Sequence, residues 1–312
     1  MVGKAQERDL PGFARRRYSR RIFCHLWPSM SAPASASSLP TVAVLGCGWL
    51  GLPLAKALVA AGYPVVGSTT TPTQLLTLRD AGITPYLLRL GNDFSPTDAD
   101  TLRTMLTGVD VLVLNVPPRA AAANSYPSLL RPVGSVVASV GVRHVLFVSS
   151  TSVYPDANRR MRESDAVSSP DAASDLLRAE GHFTPRRGQW LSTVVRFGGL
   201  FGPERPPGRF LAGRQNLPNA EAPVNLIHLD DCIGLLTSII REKAWGYTFN
   251  ACASHHPSRQ EFYSAAARKL GLTVPTFEAT SQGGKLIDSS LLQRTLPYEF
   301  QHNDLLAALD YC

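Results

Sequence analysis

Residues 41–51 read TVAVLGCGWLG, and the fold class follows from them. The aliphatic and β-branched run Val42, Ala43, Val44, Leu45 has the character of a buried strand. It breaks at Gly46-x-Gly48-x-x-Gly51, and an apolar, helix-forming stretch over 50–61 follows at once. Each glycine has a physical task in a strand-turn-helix of this kind. Gly46 permits the tight turn, Gly48 lets backbone approach a pyrophosphate, and Gly51 lets the helix pack closely on the strand. The helix N-terminus then offers free N–H groups to the phosphates. Gly46, Cys47, Gly48, Trp49, Leu50 and Gly51 are therefore the candidate dinucleotide cradle, with Cys47 a small filler rather than a redox group. An ordinary strand-to-helix turn is the competing reading, and the strand before and helix after weigh against it.

Downstream, 63–71 (YPVVGSTTT) reads as the second strand and its exit. About 20 residues past the glycines, an Asp or Glu usually holds the adenosine ribose hydroxyls. Here the slot holds Gly67, Ser68, Thr69 and Thr70. No carboxylate there repels a 2′-phosphate and three hydroxyls can donate to it, which favours NADP over NAD. NAD stays possible because no Arg or Lys adjoins the slot, and Arg79 is one helix away. The pattern predicts a helix over 73–81, a strand over 84–90, a helix over 100–106 and a strand over 109–116. The last is apolar on both faces, as a central parallel strand is. It ends at Pro117-Pro118, making Asn115, Val116 and Pro117 candidate cofactor contacts at the carboxyl edge of the sheet, where such folds bind ligands. A helix over 126–140 and a strand over 143–150 follow, running into Ser149-Ser150-Thr151-Ser152, a hydroxyl cluster that is either a turn or a site.

The chain has 312 residues, 44% hydrophobic and 18% charged, a soluble globular balance with no apolar run of membrane-spanning length. Five cysteines lie scattered without paired spacing, which argues against a disulfide framework or zinc site and for a reducing, cytoplasmic setting. The net charge is +7, but residues 1–40 hold seven Lys and Arg against two acids. They carry +5 of the total, so nucleic-acid binding by the folded part is not supported. This Arg-, Ser-, Ala- and Pro-rich extension is expected to be disordered. It reads as a transit peptide, a basic tail, or sequence upstream of a start at Met30; the last is favoured. His255-His256 lack ligand partners at metal spacing, so no metal is expected.

GCGWLG, SSTSVY (149–154), RFGGLFGP (196–203), NLIHLDD (225–231) and YTFNAC (247–252) stand in the order and approximate spacing of the extended short-chain dehydrogenase/reductase superfamily. The chain resembles its atypical, epimerase/dehydratase-like members, and the GWLG-to-SSTSVY framework resembles the bacterial YeeZ-type group in particular. The resemblance spans about 41–309. It implies a doubly wound parallel α/β Rossmann sheet of seven strands over 41–200. A small carboxyl-terminal substrate lobe over 201–312 would return a segment near 224–250 to the sheet. The implied ligands are a nicotinamide cofactor and a small polar or sugar-like substrate. Monomer and homodimer are both open.

In that superfamily a Tyr is the general acid/base, a Lys four residues later lowers its pKa, and a Ser or Thr orients the substrate oxygen. Ser150 matches the Ser/Thr, with Thr151 beside it. The Tyr-x-x-x-Lys is missing: residues 168–183 read SSPDAASDLLRAEGHF. Aligned on Pro170 the two positions fall on Ser174 and Arg178; aligned on Glu180 they fall on Ala172 and Leu176. The first register keeps polar groups and is preferred, with a helix-capping Ser174 and a solvated Arg178 as the alternative. A Ser cannot replace a phenol of pKa about 10, and Arg does not titrate. Gly199 also stands where the family has Asn. Gly198, Gly199, Gly202 and Gly208, with nearby prolines, predict a flexible loop bearing Arg205, Arg209 and Arg214, either closing on an anionic substrate or solvated. Asp230 is expected to cap a helix over 231–241, His228 to be structural, and Lys285 to lie on the surface unless it reaches substrate. Two functions remain: an NAD(P)-dependent oxidoreductase or epimerase, and a cofactor-binding sensor or scaffold that has lost its chemistry.

Overall fold

The computed structural model describes residues 39–91, 94–118, 125–184, 189–278 and 283–312. Apart from Leu39 and Pro40, the basic extension lies outside the described residues. The chain runs β1 (Val42–Leu45), α1 (Gly51–Ala60), β2 (Val65–Thr69), α2 (Gln74–Asp80), β3 (Thr84–Leu87), α3 (Pro96–Leu106), β4 (Val111–Leu114), α4 (Tyr126–Val140) and β5 (His144–Ser150). It continues through β6 (Arg159–Met161), α5 (Asp175–Phe183), β7 (Leu191–Phe197), β8 (Gly199–Phe201), α6 (Gly208–Leu211), β9 (Leu226–His228) and α7 (Leu229–Arg241). The last elements are β10 (Thr248–Ala251), α8 (Arg259–Lys269), β11 (Lys285–Ile287) and α9 (Ser290–Thr295).

Seven strands form one sheet in the order β10-β7-β5-β4-β1-β2-β3, every pair parallel. This is the doubly wound Rossmann architecture. The cause is visible in β1. Val42 and Val44 enter one core with α1 and α7, while Ala43 and Leu45 enter the other with α3, α4 and α5. A strand buried on both faces needs apolar side chains at every position, and β1 and β4 supply them. The chain winds from β1 out to β3 and then crosses back to β4, so the strand order reverses between β1 and β4. A crevice opens at that reversal, at the carboxyl ends of the strands.

Two short parallel pairs, β6 with β11 and β8 with β9, lie outside the main sheet. Neither was legible beforehand, since three residues are too few for a period. A third core of Phe201, Val224, Leu226, Phe262, Ala266 and Leu305 gathers the carboxyl-terminal elements. The third helix starts at Pro96 rather than at residue 100. Ser95 accepts from Asp98 N–H and Asp98 accepts from Ser95 N–H, a capping box that stabilises the extra turn. No helix among the described residues is long and apolar enough to cross a membrane.

Candidate functional site

The glycine loop is held from behind by side chains of two neighbouring strands. Gly46 takes φ 104°, and its carbonyl accepts from Asn115 Nδ2 at 2.9 Å. A Cβ on Gly46 would stand 2.5 Å from Asn115 O, and one on Gly51 would stand 2.1 Å from Gly46 O. Gly48 differs: an added Cβ meets nothing within 4 Å, and the residue is exposed. The N–H groups of Gly48, Trp49 and Leu50, at the head of α1, find no acceptor among the described residues. The first turn of α1 carries no acidic side chain to fill that place. The loop thus presents unpaired donors and open space where a pyrophosphate requires both, and the residues fit a dinucleotide. Cys47 turns inward, 2% exposed, its sulfur against Gly67, and burial pushes its thiol up to about 12.

At the end of β2 the three hydroxyls divide. Ser68 accepts the Gly46 N–H at 3.0 Å, and Thr69 donates to Gln74 Oε1 at 2.9 Å while accepting from Thr71 N–H. Both are buried and brace the loop, whereas Thr70 is exposed. Arg89, exposed just beyond β3, donates from Nε and Nη2 to Thr70 O, each at 3.3 Å. The cation that the sequence lacks next to the candidate ribose slot therefore arrives from the neighbouring strand. The parallel pairing of β2 with β3, Thr69 opposite Leu87, sets Arg89 there, and only strand order could have revealed it. At the end of β4, Asn115 ties down the glycine turn, Val116 O accepts from Tyr126 Oη at 2.6 Å, and Pro117 is exposed at the mouth of the crevice.

The four candidate catalytic residues occupy unequal positions. Ser150 ends β5, partly exposed, its Oγ accepting from Ser152 N–H at 3.1 Å; Thr151 is 6% exposed. Ser174 is the N-cap residue of α5 but makes no side-chain cap bond. Arg178 donates to Ala172 O at 2.7 Å and Ala173 O at 3.0 Å, and it pairs with Asp175. All of its contacts go to the chain that opens its own helix, so it is committed rather than solvated. In the other register, Leu176 packs in the core with α4.

What the sequence did not reveal is the polar cluster behind Ser150. Arg196 on β7 is 1% exposed and pairs with Glu180 of α5, which is 0% exposed, through Nη2 to Oε2 at 2.7 Å and Nε to Oε1 at 3.1 Å. Ser149 donates to the same carboxylate at 2.5 Å. Arg196 Nη1 donates to Tyr154 Oη at 2.7 Å, and that hydroxyl donates to Asn250 Oδ1 at 2.7 Å. Ser149, Arg196 and Asn250 are cross-strand neighbours on β5, β7 and β10, one row under the candidate substrate edge. Burial raises the Tyr154 phenol above its ordinary value while Arg196 pulls the other way. Tyr154 therefore stays protonated and sealed, and it does not replace the missing phenol.

The glycine- and arginine-bearing loop after β7 is partly regular, containing β8 and α6, and Gly199 opens β8 opposite Leu226. Trp49 Nε1 donates to Pro203 O at 2.8 Å, and the Arg205 guanidinium lies 5.4 Å from the Trp49 ring centroid. The loop is thereby fastened to the candidate dinucleotide cradle. Two expectations are corrected. His228, not Asp230, is the N-cap of α7: its Nδ1 accepts the Asp230 N–H at 3.2 Å, because the helix begins two residues early at Leu229. Lys285 is 17% exposed rather than on the surface, donating to Tyr154 O at 2.6 Å and lying 3.2 Å from Asp156. The parallel pairing of β11 with β6 carries it there. His255 meets Asp304 at 3.1 Å and His256 meets Val224 O at 3.0 Å.

Residues 41–169 match the family model for the NAD binding domain of 6-phosphogluconate dehydrogenase. Protein YeeZ of Escherichia coli K12 is 36% identical over 276 residues, 85% of this chain and 97% of that one. Among solved structures, MoeE5 in complex with UDP-glucose and NAD superposes with a TM-score of 0.67 at 18% identity, over 87% of this chain and 98% of that one. UDP-N-acetylglucosamine 4-epimerase from Bacillus cereus gives 0.65 at 15% identity, over 87% and 94%. At these identities the two structures bear on the fold alone.

Proposed function

The chain belongs to the family of Protein YeeZ, an atypical short-chain dehydrogenase/reductase-like group with an NAD(P)-binding Rossmann domain, and from that membership and the cleft we propose an NADP-dependent oxidoreductase or epimerase/dehydratase acting on a small polar or sugar-like substrate. The observation that carries the proposal is the open space at Gly48 beside the unpaired N–H groups of Gly48, Trp49 and Leu50. These groups take the pyrophosphate, and Gly46, Gly51 and Asn115 keep the turn that presents them. Thr70 and Arg89 favour the 2′-phosphate of NADP over the bare ribose of NAD, with Ser68 and Thr69 holding the strand end in place. Bound there, the nicotinamide supplies a hydride acceptor or donor. MoeE5, which shares the fold, is known with NAD and UDP-sugars, so nucleotide sugars belong among the sugar-like compounds to be tested.

Ser150 and Thr151 orient the substrate oxygen from the end of β5. No phenol or ammonium takes the Tyr and Lys positions, so proton transfer passes to solvent or to the substrate itself. The loss costs about 10² to 10⁴ in rate, while positioning alone supplies about 7–11 kcal/mol. Turnover is slow but present. A second reading, a cofactor-binding sensor without chemistry, is favoured by the commitment of Arg178 to Ala172, Ala173 and Asp175. The deciding experiment is an NAD(P)H-oxidation screen over aldehydes, ketones and nucleotide sugars, run with the parent and with the Ser150→Ala, Thr151→Val double variant. Turnover in the parent that disappears in the variant, with NADPH affinity intact, supports the enzyme. Activity indifferent to both substitutions contradicts the site, and silence in the parent leaves the sensor.

A further inference from the structure

Three side chains meet where the carboxyl-terminal segment folds back on α7. Asp230 Oδ2 lies 3.3 Å from His228 Nδ1 and 3.0 Å from His302 Nε2, and the three ligand atoms all fall within 4.8 Å of one another. A tetrahedral zinc ion with bonds of about 2.0–2.1 Å sets its ligand atoms about 3.3–3.4 Å apart. The His228–Asp230 separation matches such an edge, and the His302–Asp230 separation, a hydrogen bond at 3.0 Å, needs to open by about 0.3 Å to do so. We propose that His228, Asp230 and His302 form a divalent transition-metal site, zinc being the best fit, that fastens the carboxyl-terminal segment to the start of α7.

The surroundings are those of a prepared imidazole–carboxylate set. His228 Nε2 lies 3.2 Å from Tyr311 O, so that nitrogen carries the proton, and the unprotonated Nδ1 faces Asp230, its lone pair engaged by the Asp230 N–H. A ligating histidine is usually oriented by such a bond from its other nitrogen. His302 is positioned by a residue outside the triad. Asp231, 0% exposed, accepts from Tyr298 Oη at 2.9 Å, Gln301 N at 2.7 Å and His302 N at 3.1 Å, which fixes the turn that delivers the ring. The two imidazole rings stand 3.9 Å apart between centroids. Asp230 is half-exposed, leaving one side open for water as a fourth ligand.

Two effects oppose binding. Nδ1 of His228 accepts the Asp230 N–H, and a metal displaces that cap. A dication also faces the positive end of the α7 dipole. Two carboxylates in the same first turn, Asp230 and Asp231, offset the second effect, and three metal–ligand bonds outweigh one neutral hydrogen bond. Loading also requires His302 to present an unprotonated Nε2, so its proton moves to Nδ1. Imidazole with carboxylate suits zinc and its neighbours rather than calcium or magnesium.

Calorimetric titration of the full chain with Zn²⁺ tests the site, with Asp230→Asn, His302→Ala and Cys312→Ser alongside, the last to control for the exposed terminal thiol. His228→Ala is avoided because that ring is buried and caps α7. The expected result is one tight Zn²⁺ per chain, weakened at least about 100-fold in Asp230→Asn and His302→Ala and unchanged in Cys312→Ser. Co²⁺ should show the intense visible bands of tetrahedral coordination in the parent and lose them in His302→Ala. No tight Zn²⁺ in the parent overturns the proposal. So does equal affinity in either triad variant, or loss of binding in Cys312→Ser.

Discussion

Replacing Gly48 by Val separates cofactor binding from folding. The added Cβ meets nothing within 4 Å and Gly48 is outside the left-handed backbone region, so the fold has no reason to weaken. The same side chain occupies the space in front of the Gly48, Trp49 and Leu50 N–H groups, and a pyrophosphate there loses about two charge-assisted hydrogen bonds. At about 1.5–3 kcal/mol each, the loss is about 3–6 kcal/mol, or about 10² to 10⁴ in Kd. Gly51→Ala is the contrasting control. Its Cβ falls 2.1 Å from Gly46 O and 2.8 Å from Asn115 Nδ2, the first a backbone atom that cannot swing away. The forced shift costs about 1–3 kcal/mol, which lowers the Tm by roughly 2–12 °C in a domain of this size. NADPH fluorescence titration and thermal unfolding read the two effects. Parent-like affinity in Gly48→Val, or a melting temperature several degrees below the parent's, refutes the reasoning.

Arg89→Ala should weaken NADPH by about 10- to 150-fold, the worth of a charge-assisted contact of 1.5–3 kcal/mol, and leave NADH nearly unchanged. An unaltered NADPH-to-NADH affinity ratio removes Arg89 from the 2′-phosphate site. Glu180→Gln leaves the Arg196 guanidinium buried without its countercharge, at a cost of about 3–5 kcal/mol and roughly 6–20 °C in Tm. A melting temperature within a degree or two of the parent's would show that water or a rearranged Tyr154 screens the charge.

Local sequence settled whatever depends on neighbouring residues. β1 and β4 were readable because burial on both faces demands an unbroken apolar run, and the turn between β1 and α1 because only glycine tolerates φ 104° with Asn115 O at that distance. The helix over 126–140 was found with both ends, since Ser125 caps its start and Gly141 takes φ 78° at its close. Precision dropped where a side chain bonds just outside the periodic segment. The capping box of Ser95 with Asp98 and the His228 cap each moved a helix start by two to four residues.

Tertiary structure decided which distant residues share a place. Arg89 reaches Thr70 because β3 lies beside β2. Arg196 finds Glu180 sixteen positions back because α5 packs over β5 and β7, and Lys285 reaches Tyr154 across 131 positions because β11 adds to β6. His302 meets Asp230 72 positions away through a turn held by a buried Asp231. Spacing along the chain encodes periodicity and turn conformation, which act over a few residues. A charge pair or a ligand set forms only when strand order and loop closure bring its members within a few ångströms, and those are properties of the whole packed core.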